Sequence, residues 1–204
     1  MPDTNQEPHH EKYDSNNPIA KKMLDGFMNS ITDLSQQIQT PINYITECGC
    51  GQGHVNRHLE QLFQQAQVKG LDIDAPDVEI ANSNKLRQNT QLYIKSIYNI
   101  DVEEQADLVV CCEVLEHLEE PYLALQKMAT LKADYYLFSV PREPLWRILN
   151  FMRGKYMKDW GNTPDHRNHW SSRGFIQFVN QELEVVAVKK PLPWTMVLAK
   201  PKSE

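Results

Sequence analysis

Tyr44-Ile45-Thr46-Glu47-Cys48-Gly49-Cys50-Gly51-Gln52-Gly53 is the stretch on which the reading of this chain turns. A short run of strand type ends in an acid, three glycines follow at every second position, and a helical pattern begins after them. Glycine reaches backbone conformations closed to other residues and puts no side chain between backbone and ligand. The next helix aims its first amides at the same place. The combination reads as a loop that holds a nucleotide cofactor. A dinucleotide fingerprint, G-x-G-x-x-G, needs its third glycine where His54 stands. The loop therefore points away from a nicotinamide dinucleotide.

Outward from the loop, apolar runs at residues 42–48, 67–72, 92–97, 107–112 and 135–140 read as strands, with helices at 54–64, 76–84 and 121–131 between them. Such alternation implies right-handed βαβ units, a parallel sheet and a ligand site beyond the carboxyl ends of the strands. Upstream, Ile19, Met23, Phe27, Ile31, Leu34 and Ile38 recur at helical spacing, which predicts an amphipathic helix ended by Pro41. After residue 140 a basic, aromatic insertion at 141–170 precedes a helix at 171–180 and strands at 184–189 and 195–199. With 204 residues, 41% of them hydrophobic, the chain suits one domain with a proper core and is short for two. The expectation is a mobile polar segment at 1–17 ahead of a single domain at 18–204.

The net charge of −6 argues against a general nucleic-acid binder, which needs a basic face. Its distribution is uneven. Residues 142–173 hold seven basic side chains against three acidic ones, a net +4 that leaves −10 for the rest. Within that segment Trp146, Phe151, Tyr156, Trp160 and Trp170 interleave with Arg147, Arg153, Lys155 and Lys158, while Leu145, Leu149 and Met152 have the spacing of helix core. Two readings of the mixed set stand: an ordinary solvated loop, or a surface for an anionic, glycan-like or lipid-linked acceptor. No apolar run approaches the ~20 residues of a membrane span, and the polar N-terminus is not signal-like. A cytoplasmic protein is expected, with peripheral membrane contact left open. Cys48, Cys50, Cys111 and Cys112 lie in strand patterns, so reduced thiols are expected. A four-thiolate metal site is disfavoured, because successive strand residues face opposite ways and zinc knuckles use C-x2-C spacing.

Residues 40–140 resemble the class I S-adenosylmethionine-dependent methyltransferases. The resemblance rests on Glu47 to Gly53, then Val68-Lys69-Gly70-Leu71-Asp72-Ile73-Asp74, then Asp107 through Leu118 with its Glu113-Val114-Leu115-Glu116-His117, in the family's order. It implies an α/β, Rossmann-like fold with a seven-stranded, mostly parallel sheet, helices on both faces and a C-terminal antiparallel hairpin. It implies S-adenosylmethionine as cofactor. Glu47, Cys48, Gly49, Gly51 and Gly53, with Cys112 and Glu113, would take the methionine end. Asp72, 23 residues after Gly49, would accept the ribose hydroxyls, with Ile73 against the adenine and Asp74 as helix cap. Asp74 competes for the ribose, since it shares a face with Asp72. Many relatives carry an acid near the adenine amino group. Ser96 stands there in this chain, and its hydroxyl and the Ile97 amide would serve instead.

Glu113, Glu116 and His117 would share one face if their segment is helical, and such a set can bind a divalent metal. A similar arrangement, completed by a distal histidine, occurs in metal-dependent small-RNA 2′-O-methyltransferases, and His166 and His169 offer completions. Leu-Glu-His-Leu at this place is also common in methyltransferases without a metal, so no metal is expected. A base is needed only where the acceptor must lose a proton. His117 is the first candidate for that role and His169 the second, with a structural role for His117 weighed equally. A Rossmann oxidoreductase is weakened by His54. A non-catalytic cofactor-binding scaffold is weakened by the intact glycine loop and ribose acid. Sequence selects neither the acceptor, nor the atom methylated, nor the oligomeric state.

Overall fold

The computed structural model describes residues 17–101, 106–152, 163 and 166–203. In chain order it contains α1 (Pro18–Ser35), β1 (Tyr44–Cys48), α2 (His54–Leu62), β2 (Gln67–Asp72), α3 (Ala75–Asn84), β3 (Gln91–Ile94), β4 (Leu108–Cys112), α4 (Pro121–Ala129), β5 (Tyr135–Pro141), α5 (Leu145–Met152), α6 (Ser172–Val179), β6 (Leu183–Lys189) and β7 (Trp194–Pro201). One sheet joins all seven strands in the order β3-β2-β1-β4-β5-β7-β6. Its first five strands run parallel, and β7 lies antiparallel between β5 and β6. This is the architecture that the resemblance implied. The chain winds outward through β2 and β3, then returns to place β4 on the other side of β1. The loops leaving β1 and β4 therefore diverge and open the crevice in which folds of this kind bind ligands.

Alternation along the central strands sorts the core into two layers. Leu108, Val110 and Cys112 of β4 face Phe27, Ile31 and Leu34 of α1 and Val55 and Leu59 of α2. Val109 and Cys111 face Leu125 and Met128 of α4 and Phe175, Phe178 and Val179 of α6. A smaller cluster of Cys50, Val78, Ala81 and Leu92 seats α3 against the β2–β3 edge. All five residues of β4 are buried, as a strand covered on both faces requires. β6 instead alternates between buried or half-buried and exposed positions, in keeping with an edge strand that shows one face to water.

Most element boundaries differ from the expected ones by a residue or two. α1 ends at Ser35 rather than at Pro41, because Gln37 and Ile38 donate to Leu34 and Ser35 and tighten the chain out of the α-helix. β3 stops at Ile94. Residues Ile97–Asn99 form one 3-10 turn, with the Ser96 hydroxyl accepting from the Tyr98 amide. The expected mobile segment at 1–16 lies outside the described residues, as does most of the 153–165 part of the insertion. No described helix is long and apolar enough to cross a membrane.

Candidate functional site

The turn after β1 is built around left-handed backbone. Gly49, Gly51 and Gly53 have φ of 78°, 46° and 80°, in the region that glycine enters without strain. Amides of Gly49 and Cys50 both donate to the Leu71 carbonyl, at 2.7 and 3.0 Å, which folds the loop back over the end of β2. At Gly49 a Cβ would lie 2.1 Å from Val114 Cγ2, so the loop also presses on the end of β4. At Gly51 the only atom of the described residues that a Cβ would approach within 4 Å is Asp77 Oδ2, at 3.9 Å, so among them the loop is open above that residue.

Asp72 closes the other side of this opening. Its Oδ2 accepts from the Gly51 amide at 2.7 Å and its Oδ1 from the Asp74 amide at 3.0 Å. A carboxylate offers about four lone-pair sites. Each oxygen thus keeps acceptor capacity in a fixed orientation, and the residue is only partly buried. That is the pair of acceptors a ribose diol fits. Asp74 is occupied otherwise: its Oδ1 caps α3 by accepting from Asp77 at 3.0 Å, which leaves Asp72 as the acid turned to the opening. Ile73 is 75% exposed, an apolar surface beside the carboxylate suited to one face of an adenine. Ser96 caps its own turn through the hydroxyl oxygen and keeps an O–H to donate, while Ile97 is buried beneath it.

Glu47 is sealed at the base of the loop, 2% exposed, and its Oε2 accepts from Asn56 Nδ2 at 2.9 Å. Burial pushes its carboxyl from an ordinary 4.5 up to about 8, against the opposing Asn56 bond and with a further push from the Asp72 charge. The residue is thus mainly protonated at neutral pH. Cys48, Cys50, Cys111 and Cys112 are buried and form no disulfide, and burial pushes the Cys50 and Cys111 thiols well up, so both stay protonated.

The segment after β4 departs from expectation. Glu113 adopts a φ of 62°, rare for a residue with a side chain. Its Oε1 accepts from Ser139 Oγ at 3.1 Å and its Oε2 from the Trp194 indole. The turn that follows is a single 3-10 turn, Leu115–His117. The shared face of Glu113, Glu116 and His117 therefore does not form, since Glu113 precedes the turn and is drawn toward β5 and β7.

A second contact completes this region. The Glu116 carbonyl accepts from the amides of Arg167 and Asn168 at 2.8 and 2.9 Å. Asn168 Nδ2 donates back to the carbonyls of Leu115 and Leu118, at 3.2 and 2.6 Å. These four bonds bring His166 edge-on to His117, with ring centroids 4.9 Å apart, and the His166 ring stacks on Trp146 at 5.7 Å. Trp146 in turn meets Trp194 at 6.3 Å, and Trp194 meets Phe27 of α1 at 4.9 Å. Aromatic and imidazole rings from α5, β7 and the 166–169 segment thus form a contiguous run beside the end of β4, backed by the buried Phe27 of α1. Ligand atoms of Glu116, His117 and His166 lie within 4.8 Å of one another, close enough to converge on one cation. With Glu113 turned away, the four-donor arrangement suggested by the sequence is not assembled. His169 lies 6.4 Å from His166 by ring centroids, with Nδ1 3.4 Å from Glu143 Oε1.

The sequence brought forward Glu47, Cys48, Gly49, Gly51, Gly53, Asp72, Ile73, Ser96, Ile97, Cys112 and Glu113 for the cofactor and His117 and His169 for catalysis; the first eleven lie at or just after the carboxyl ends of β1 to β4, His117 in the turn after β4 and His169 in the 166–169 segment. It did not bring forward Asn56, Ser139, Trp194 or the ring of Phe27. Trp194 carries no local signal, since its place depends on the antiparallel register that sets it opposite Pro141. Asn56 had one: a polar residue on the buried face of α2, which requires a buried partner.

Residues 46–134 match the model of a family described as a methyltransferase domain. A malonyl-[acyl-carrier protein] O-methyltransferase of Bacillus anthracis is 25% identical over 108 residues, covering 53% of this chain and 39% of that protein. A ubiquinone biosynthesis O-methyltransferase of Vibrio cholerae is 33% identical over 91 residues, covering 43% of this chain and 36% of that protein. The chain thus spans little more than a third of the length of these two relatives. Among solved structures, magnesium protoporphyrin IX methyltransferase from Synechocystis with bound S-adenosylhomocysteine superimposes with a TM-score of 0.68 at 18% identity, covering 92% of this chain and 89% of that one. A methyltransferase from Aquifex aeolicus gives a TM-score of 0.70 at 13% identity, covering 94% and 97%. At these identities the structural likeness speaks for the fold.

Proposed function

We propose that the chain is a class I S-adenosylmethionine-dependent methyltransferase, which moves the cofactor's methyl group to a small-molecule, glycan-linked or lipid-linked acceptor; the methyltransferase-domain match and the relatives support this reading. S-adenosylhomocysteine is the second product. The observation that carries this reading is the Asp72 carboxylate, held by the Gly51 and Asp74 amides with a lone pair left on each oxygen. In this reading Asp72 takes the ribose hydroxyls and Ile73 covers the adenine. The Gly49–Gly53 loop admits the cofactor to close range, and the floor formed by Cys112 and Glu113 receives its amino-acid end. When bound, the cofactor supplies a methyl group on a positively charged sulfur. The protein contributes mainly position: Trp146 and Trp194, the latter backed by buried Phe27, exclude water from one side and fix the approach of the acceptor.

The relatives named above are O-methyltransferases, which favours an acceptor oxygen here. α5 leaves Ile148 50% and Phe151 44% exposed, and the basic stretch of the insertion follows it in sequence, which supports the lipid-linked branch. Sedimentation with anionic vesicles at low salt tests that branch, and a protein that stays in the supernatant removes it. Isothermal calorimetry tests the cofactor. S-adenosylhomocysteine is expected to bind with micromolar affinity and Asp72→Ala to weaken it by about 1.5–3 kcal/mol, the worth of lost charged hydrogen bonds. Binding of NADH with no heat from S-adenosylhomocysteine would overturn the reading.

A further inference from the structure

Two histidines border the acceptor side of the crevice, and the structure separates their roles. His117 turns Nε2, the ring atom farthest from its backbone, toward Glu116 Oε1 at 3.8 Å, and Glu116 is 1% exposed. Its outer nitrogen is thus aimed into the protein. His169 has the opposite orientation. Its inner nitrogen, Nδ1, faces Glu143 Oε1 at 3.4 Å, and Nε2 contacts no polar atom among the described residues. The imidazole keeps 35% of its side chain exposed, while Glu143 keeps 11%.

Glu143 itself has no evident structural task. Both of its carboxylate oxygens are buried and have no hydrogen-bond partner among the described residues, so the imidazole at 3.4 Å is the polar group they face. A buried carboxylate without a partner is costly, and charged hydrogen bonds in ligand-free sites are often long until the complex forms. The backbone holds the two residues together independently of the side chains. Glu143 N donates to the Trp170 carbonyl at 2.9 Å, and Arg142 bridges Trp170 at the end of β5.

We propose that Glu143 is a positioning residue that keeps the neutral His169 ring protonated on Nδ1, so that Nε2 presents a lone pair to an acceptor hydroxyl. The partner of one ring nitrogen sets which nitrogen carries the proton. In the reaction, Nε2 takes the hydroxyl proton as the new oxygen–methyl bond forms and the carbon–sulfur bonding pair returns to sulfur. The single positive charge that began on sulfur ends on the imidazolium, where the Glu143 carboxylate faces it. His117 becomes part of the frame that holds His166 and the 166–169 segment in place. This assignment rests on the methyltransferase reading and selects, within it, an acceptor that carries a proton on oxygen.

Long-range proton–nitrogen NMR correlation on the full chain reads the ring directly, with His169→Gln identifying the signals by their loss. In the wild-type protein the pyridine-like nitrogen shift should belong to Nε2 of His169. In Glu143→Gln the side-chain amide can donate to Nδ1, and the pyridine-like shift should move to Nδ1; Glu143→Asp should return it in part to Nε2. A wild-type ring protonated on Nε2, or a ring unchanged in Glu143→Gln, overturns the proposal. Calorimetry with S-adenosylhomocysteine on the same samples separates the two readings. Failure to bind removes the methyltransferase assignment, whereas normal binding with the wrong tautomer removes only the role of Glu143.

Discussion

At the scale of single residues, Glu47 is the side chain whose chemistry differs most from what its letter suggests. An acid ahead of a glycine loop invites the assumption of a fixed negative charge, yet burial holds its carboxyl at about 8 against an ordinary 4.5. Because the folded pKa is the higher one, the folded state binds the proton more tightly than the unfolded chain. Stability is therefore greatest below about 4.5, declines as pH rises toward about 8, and carries the full penalty above that. Every tenfold difference in proton affinity between the two states corresponds to about 1.4 kcal/mol. Glu47→Gln should consequently be more stable than wild type by a few kcal/mol at pH 9, with the gap narrowing to nothing near pH 4; urea titrations across that range measure it. Equal stabilities at pH 9 would show that burial does not raise the Glu47 carboxyl above its ordinary range. The identity of this residue was legible in the sequence, but its protonation state was not, because that depends on how Asn56 and α2 seal it from water.

At the scale of elements, the single turn Leu115–His117 and the 166–169 segment behave as one unit. They are some fifty positions apart in sequence, joined by the amides of Arg167 and Asn168 and by the side chain of Asn168. Asn168→Ala removes two side-chain bonds to partly buried carbonyls and should destabilise the protein by about 1–3 kcal/mol. It should also speed amide exchange at His117 and Arg167 well beyond the change at the core of β4. Equal protection in the variant would mean that the two segments are held independently. This pairing also marks the limit of sequence reading. Alternation of apolar runs made the five parallel strands and their helices readable within a residue or two, apart from the end of β3, which stops three residues early. The stretch after β4 was not, since its Glu-x-x-Glu-His spacing assumed a continuing helix. The observed positive φ at Glu113 is fixed by Ser139 and Trp194, which lie on other strands.

At the scale of the whole molecule, the crevice is where the two diverging halves of the sheet meet, so a ligand there couples β1 with its glycine loop and β2 to β4 and β5. Binding to the folded state alone stabilises it by about 2.7 kcal/mol at one hundred times the dissociation constant. Thermal unfolding should shift upward in S-adenosylhomocysteine at that concentration, and the same concentration should raise the Asp72→Ala midpoint by no more than about half as much. An equal shift in both would place the ligand away from Asp72. The strand order has one more consequence, concerning time. β7 comes after β6 in sequence, yet it lies inside the sheet between β5 and β6 and delivers Trp194 to Glu113, Trp146 and Phe27. While the chain emerges from the ribosome, β5 has an open edge and the crevice lacks one wall until β7 docks. The aromatic wall therefore cannot assemble before Trp194 has been made, and a chain that stops short of that residue is left with both a sticky edge and an unfinished crevice.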